Sequence, residues 1–133
     1  MANKNLCIFI LVATIVAQAT WVRSEEFIVG DEKGWDLGID YTCWLSGKEF
    51  HFNDALVFKF KPGKHNVAAL PDQASLDSCA LDKAIFSLRA CGRNTIYLAE
   101  GENYLTSSIG DDCKKGLKLI VTAKGPRPEG SEN

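Results

Sequence analysis

Two short stretches decide how this chain is read: Tyr104-Leu-Thr-Ser-Ser-Ile-Gly-Asp-Asp-Cys-Lys-Lys-Gly-Leu117, and upstream of it Gly63-Lys-His65-Asn-Val67. The first is a polar loop rich in hydroxyls and carboxylates, set between two strand-like segments, Glu102–Leu105 and Leu117–Thr122. The second places His65 just beyond Pro62-Gly63, a turn signal that ends the preceding strand. Chemistry-bearing side chains are thus confined to two loops, and the segments around them read as scaffold.

Those segments are short and punctuated by turns. Phe27-Ile-Val29 reads as a strand and Gly30-Asp-Glu-Lys-Gly34 as a turn. The Tyr41–Trp44 segment and Glu49–Phe52 come next. Asn53-Asp54 then turns the chain into Ala55–Phe60, where Leu56, Phe58 and Phe60 alternate with Val57 and Lys59. That period of two marks a half-buried strand. Further strands begin at His65–Leu70 and Thr95–Leu98. Between them, Leu76, Cys79, Ala80, Ala84, Ile85 and Leu88 recur at three- and four-residue spacing, which predicts one or two short helices over 72–90. A Greek-key β-sandwich with a helical insertion follows. Trp35, Trp44, Phe50, Phe52, Phe58, Phe60 and Tyr104 are its expected core, because aromatics at strand positions of a small domain are mostly buried. His51 lies between Phe50 and Phe52, so alternation predicts that it faces solvent.

Residues 1–24 read as a secretory signal peptide, with Lys4 as the positive start, an apolar run from Leu6 to Ala17 and a small-residue cleavage context at Val22-Arg-Ser24. The run is about 12 residues, short of the roughly 20 that a membrane span needs. Cleavage after Ser24 removes two cations and no acid, taking the formal net charge from −2 to −4. An acidic balance argues against nucleic-acid binding. The domain is expected over 25–123, with 124–133 a polar, disordered tail. No apolar tail follows Ala123, so secretion without a glycolipid anchor is expected.

Of five cysteines, Cys7 leaves with the signal peptide. Cys43, Cys79, Cys91 and Cys113 remain, an even set that reads as two disulfides in a secreted domain, with three pairings open. No CxxC spacing supports a zinc or redox site.

The segments also carry a resemblance. Glu26-Phe-Ile-Val-Gly-Asp-Glu-Lys-Gly-Trp35 resembles the opening strand and turn of plant phytocyanins. Trp44–Phe50 with Asn53–Phe60, His65-Asn-Val67, Asp77-Ser-Cys79, Ile96–Tyr104 and Cys113–Leu119 follow in the family's order, from about Glu25 to Ala123. The resemblance implies an all-β, cupredoxin-like Greek-key sandwich of seven or eight strands with one or two short helices. It also implies the pair Cys79–Cys113, leaving Cys43 and Cys91 for each other. The family's copper ligands would fall on His65, Ser107, Asp112 and Leu117. A blue-copper centre needs a thiolate and two imidazoles, and of the ligands only His65 survives. The chain therefore looks most like the early-nodulin-like subgroup that lacks type 1 copper ligands.

Function follows as expectation. No cofactor is expected. Copper is the alternative, with the chain as an electron carrier using a degenerate site, or with His65 and Asp112 as a weak two-donor site. His65 is expected to be a surface loop histidine. A Ser107–Asp112–His65 triad lacks a nucleophile turn and an oxyanion hole, and the adjacent Asp111 and Asp112 are expected to point apart into solvent, so no enzyme is expected. Gly110-Asp-Asp112 offers too few donors for calcium. What remains is recognition by a monomeric, secreted module in the apoplast or on the outer face of the plasma membrane. Its expected partner is a cell-wall glycan, a glycoprotein or a receptor ectodomain.

Overall fold

A computed structural model describes residues 23–128; the signal peptide expected over 1–24 falls almost wholly outside them. The chain forms β1 (Glu26–Ile28), α1 (Tyr41–Leu45), β2 (Phe50–His51), β3 (Ala55–Lys59), β4 (Ala68–Leu70), α2 (Gln73–Ser78), β5 (Phe86–Ser87), β6 (Arg93–Tyr97), β7 (Gly101–Thr106) and β8 (Lys118–Lys124). Single 3₁₀ turns lie at Asp31–Lys33 and Leu81–Lys83. The strands build a three-stranded sheet, β1-β3-β6, and a five-stranded sheet, β2-β8-β7-β4-β5. The all-β sandwich with two short helices is the fold the sequence predicts.

Alternation explains the packing. Leu56, Phe58 and Ile96 of one sheet meet Ala69, Leu105, Leu119, Val121 and Ala123 of the other in a single buried cluster. Trp35 is also buried there, with Phe58 edge-on at 4.9 Å and Tyr41 at 5.2 Å between ring centroids. Edge-to-face pairs suit the aromatic quadrupole.

Several local expectations change. Tyr41–Leu45 is a helix, not a strand, because the Asp40 side chain caps it by accepting the Cys43 N–H at 3.2 Å. Strand β2 ends after two residues, since Asn53 turns the chain at φ 68°. Alternation therefore fails around His51: it is 8% exposed, while Phe52 is 42% exposed. Tyr104 pairs with Leu70 and Ile120 and lies outside the core cluster, its hydroxyl bonded to Glu102.

The ordered domain also runs past 123. Lys124 closes β8. Arg127 is buried, its Nε and Nη2 donating to Asp54 Oδ1 and Oδ2 at 3.2 and 3.0 Å and its Nη2 to the Glu49 carbonyl at 3.1 Å. A fixed guanidinium fork on a buried carboxylate orders the chain that polar composition alone suggests is loose.

Cys79 and Cys113 are bonded, with Cα atoms 5.9 Å apart. The second bridge implied for Cys43 and Cys91 does not form. Both thiols are free and exposed, one on α1 and the other in the turn before β6. An even cysteine count permits a bridge, but only facing Cβ vectors at close range can make one.

Candidate functional site

The two loops singled out by the sequence meet at one end of the sandwich, and three elements hold them there. Trp35 donates its indole N–H to the Asn66 carbonyl at 2.9 Å, which fixes the residue after His65. The disulfide ties the end of α2 to the loop after β7. That loop closes as a turn in which the Asp112 carbonyl accepts from Leu117 N–H at 2.9 Å and the Ile109 carbonyl from Asp112 N–H at 3.1 Å.

His65 is not a surface histidine: it is 1% exposed. Its Nδ1 lies 2.7 Å from Asp112 Oδ2 and its Nε2 lies 2.8 Å from Asp36 Oδ1. Ser107, fully buried, donates its hydroxyl to the same Asp112 oxygen at 2.6 Å. The result is one chain of contacts, Asp36–His65–Asp112–Ser107. The first cause acting on Asp36 is its hydrogen bond with His65, which lowers its carboxyl below the ordinary value. Partial burial opposes this, and the Leu37 N–H and Lys64 add to it.

Asp111 and Asp112 do point apart, as expected. Asp111 is exposed, but Asp112 turns inward to meet His65 and Ser107 instead of water. Leu117 is also brought to this end, buried in the core cluster, with its carbonyl accepting from the Thr106 hydroxyl at 2.7 Å. Around the chain, Asn66 acts as a clasp: its Oδ1 accepts from Ser108 N–H at 2.7 Å, and its amide nitrogen donates to Ser108 Oγ and the Leu88 carbonyl, both at 2.8 Å.

Sequence reading missed Asp36 and Asn66. Asp36 is distant in sequence from both loops; the buried Trp35 beside it and the Tyr41 hydroxyl, which accepts its backbone N–H at 2.9 Å, bring it to His65. Asn66 adjoins His65, and its own signal was only that adjacency.

This geometry is not that of a nucleophilic triad. In a triad the base takes the serine proton, whereas the carboxylate stands between Ser107 and His65. Nor do the side chains fit the blue-copper set that the resemblance implies. Ser107 supplies no thiolate, Asp112 is no imidazole, Leu117 has no donor atom, and both nitrogens of His65 face carboxylates. Among the described residues, no group of three or more His, Cys, Asp or Glu side chains could hold a metal ion.

Comparison with known proteins fits this picture of frame and loops. The family model of the plastocyanin-like domain matches residues 35–117. Chemocyanin from Lilium longiflorum is 33% identical, covering 92% of this chain and 94% of its own. Early nodulin-like protein 19 from Arabidopsis thaliana is 31% identical over 88% of this chain and 83% of its own. Among solved structures, cucumber stellacyanin with Cu2+ aligns at a TM-score of 0.70 and 27% identity, covering 77% of this chain and 98% of that one. From the matched strands, the bonded Cys79–Cys113 pair and these relatives together, the chain belongs to the plastocyanin-like phytocyanin family.

Proposed function

We propose that this chain is a secreted, copper-free phytocyanin that works as a recognition module at the plant cell surface or in the cell wall. The observation that carries the reading is the occupation of His65 Nδ1. Asp112 lies against it at 2.7 Å, and Ser107 donates to the same carboxylate oxygen. Three of the four vestigial ligand positions, His65, Ser107 and Asp112, are thus committed to one another. A metal would have to break buried hydrogen bonds and would gain no thiolate in exchange. The same commitment makes the end rigid, and preorganisation lowers the cost of binding a partner. The Ser87 and Ser108 hydroxyls, 3.0 Å apart, and the exposed Asp111 on the same loop as Ser108 suit a polar partner: a wall glycan, a glycoprotein or a receptor ectodomain.

Adding Cu(II) to the purified Glu25–Asn133 domain, followed by visible absorption and electron paramagnetic resonance, tests the copper-free part. The expected result is no intense charge-transfer band and only the signal of loosely held Cu(II). A stoichiometric, intensely coloured site would instead establish the electron-carrier reading.

A further inference from the structure

The outer face of the three-stranded sheet carries chemistry that the His65 end does not use. Strands β3 and β6 run antiparallel, with Lys59 opposite Arg93, Val57 opposite Thr95 and Ala55 opposite Tyr97. Leu56, Phe58 and Ile96 point into the core, so alternation puts those three pairs on the outer face. Tyr97 is 67% exposed, and Lys59, Arg93 and Thr95 are exposed with it, while Ala55 and Val57 between them are covered by these longer side chains and buried.

Like charges directly opposite each other destabilise an antiparallel pair, yet neither Lys59 nor Arg93 is ion-paired with an acid. Among the described residues, Lys59, Lys61, Arg89 and Arg93 form no ion pair. The backbone gathers more positive charge at the same end. Phe60 N–H donates to the Gly92 carbonyl and Gly63 N–H to the Ala90 carbonyl, which lays the turn after β3 against residues 89–93. Segments 55–71 and 83–99 contain no Asp or Glu at all, although the whole chain has a formal charge of −2. The acids nearby are Glu26, in the row of Ala55 and Tyr97, and Asp31 and Glu32, which share a groove with Lys33 and Lys59. Asp36 is paired with Lys64.

We propose that this face binds an acidic polysaccharide, a polymer of uronic acid. A pyranose ring lies on Tyr97, Thr95 hydrogen-bonds a hydroxyl, and carboxylates along the polymer neutralise Lys59 and Arg93. A sheet face without pockets and with an exposed aromatic fits a flat sugar ring better than peptide side chains, which need pockets for specificity. The polyanion also relieves the repulsion between two cations that the fold leaves opposed. This inference concerns a different face from the His65 end and stands or falls separately from the reading of that end.

Calorimetric titration of the Glu25–Asn133 domain with oligogalacturonate in calcium-free, low-salt buffer tests it. Binding is expected to weaken as salt is added, because bound counterions are released when the polyanion is neutralised. The double variant Lys59→Gln/Arg93→Gln should lose about tenfold or more in affinity, and Tyr97→Ala roughly tenfold, the scale of one stacked ring. All three side chains are exposed, and circular dichroism should show each variant folded. Lys114→Gln/Lys115→Gln, on the loop after β7, should leave binding unchanged. Absence of binding overturns the proposal. So does equal binding of poly-L-glutamate that ignores Tyr97→Ala, which would mark an acidic-peptide surface, and so does loss of binding in the Lys114/Lys115 variant.

Discussion

His65 Nε2 lies 2.8 Å from Asp36 Oδ1 while its Nδ1 lies 2.7 Å from Asp112 Oδ2, so one buried ring joins the turn after β1 to the loop after β7. The two contacts differ in surroundings. The Asp36 side chain is 44% exposed and that of Asp112 only 11%. Water can replace the first partner far more easily than the second.

That asymmetry sets unequal costs for substitution. His65→Ala leaves the buried Asp112 carboxylate with the Ser107 hydroxyl as its remaining side-chain partner and is expected to cost roughly 3–5 kcal/mol. Asp36→Asn should cost about 1 kcal/mol, the value of one solvent-accessible hydrogen bond. Urea denaturation of the two variants checks the order. Equal losses would mean that the ring is not held mainly by Asp112.

The disulfide should carry a large share of the stability. It closes a loop with a sequence separation of 34, for which the chain-entropy estimate is roughly 3–4 kcal/mol. Total stability in a domain of this size is only about 5–15 kcal/mol. Cys113→Ser is therefore expected to lower the melting temperature sharply or to prevent secretion. Unchanged thermal unfolding would contradict it.

Thiol chemistry distinguishes the four cysteines of the domain. Cys43 and Cys91 are free and exposed, so iodoacetamide should label both in the folded protein. Cys79 and Cys113 should react only after reduction and unfolding. Peptide mapping that finds Cys43 linked to Cys91 would restore the pairing that the family resemblance implies.

Acid should weaken the fold through carboxyls that are easier to ionise when folded. Asp36 is held below its ordinary value first by the hydrogen bond with His65. At Asp54, burial acts to raise the value, but the Arg127 hydrogen bond and the backbone N–H groups of Glu25 and His51 outweigh it. Folded values lie below the ordinary 3.8, so the unfolded chain binds more protons between the two. The stabilisation is full above the unfolded value and is lost as pH falls through the folded one. Melting temperature should drop below about pH 4, and Asp54→Asn should flatten the drop. An identical pH profile in that variant would show that Asp54 is not the group responsible.

The frame for a metal can be tested by refilling it. Nδ1 of His65 faces the Ser107 and Asp112 positions, while Nε2 is held by Asp36, the carboxylate arrangement that commonly orients a metal-bound imidazole. Ser107→Cys, Asp112→His and Leu117→Met introduced together should therefore give an intense thiolate charge-transfer band with Cu(II). A folded triple variant that stays colourless would show that the loop no longer holds the ligand geometry.

The strand-rich sandwich is legible in the sequence, because alternation at Leu56, Phe58 and Phe60 and the turn at Pro62-Gly63 are local signals. The sequence also determined the helical insertion near Leu76 and the two loops that matter, and through its resemblance it implied the Cys79–Cys113 pair. Tertiary structure decided what those loops do. Whether His65 faces water or two carboxylates depends on Trp35 being anchored to Asn66, which swings Asp36 under the ring, and no local pattern encodes that approach. The same holds at His51, where a positive φ at Asn53 cuts the strand short, and at Arg127, held by the buried Asp54 and the Glu49 carbonyl. Free Cys43 and Cys91 make the point from the other side. Cysteine parity is a property of composition, but a bond requires two sulfurs brought face to face by the fold.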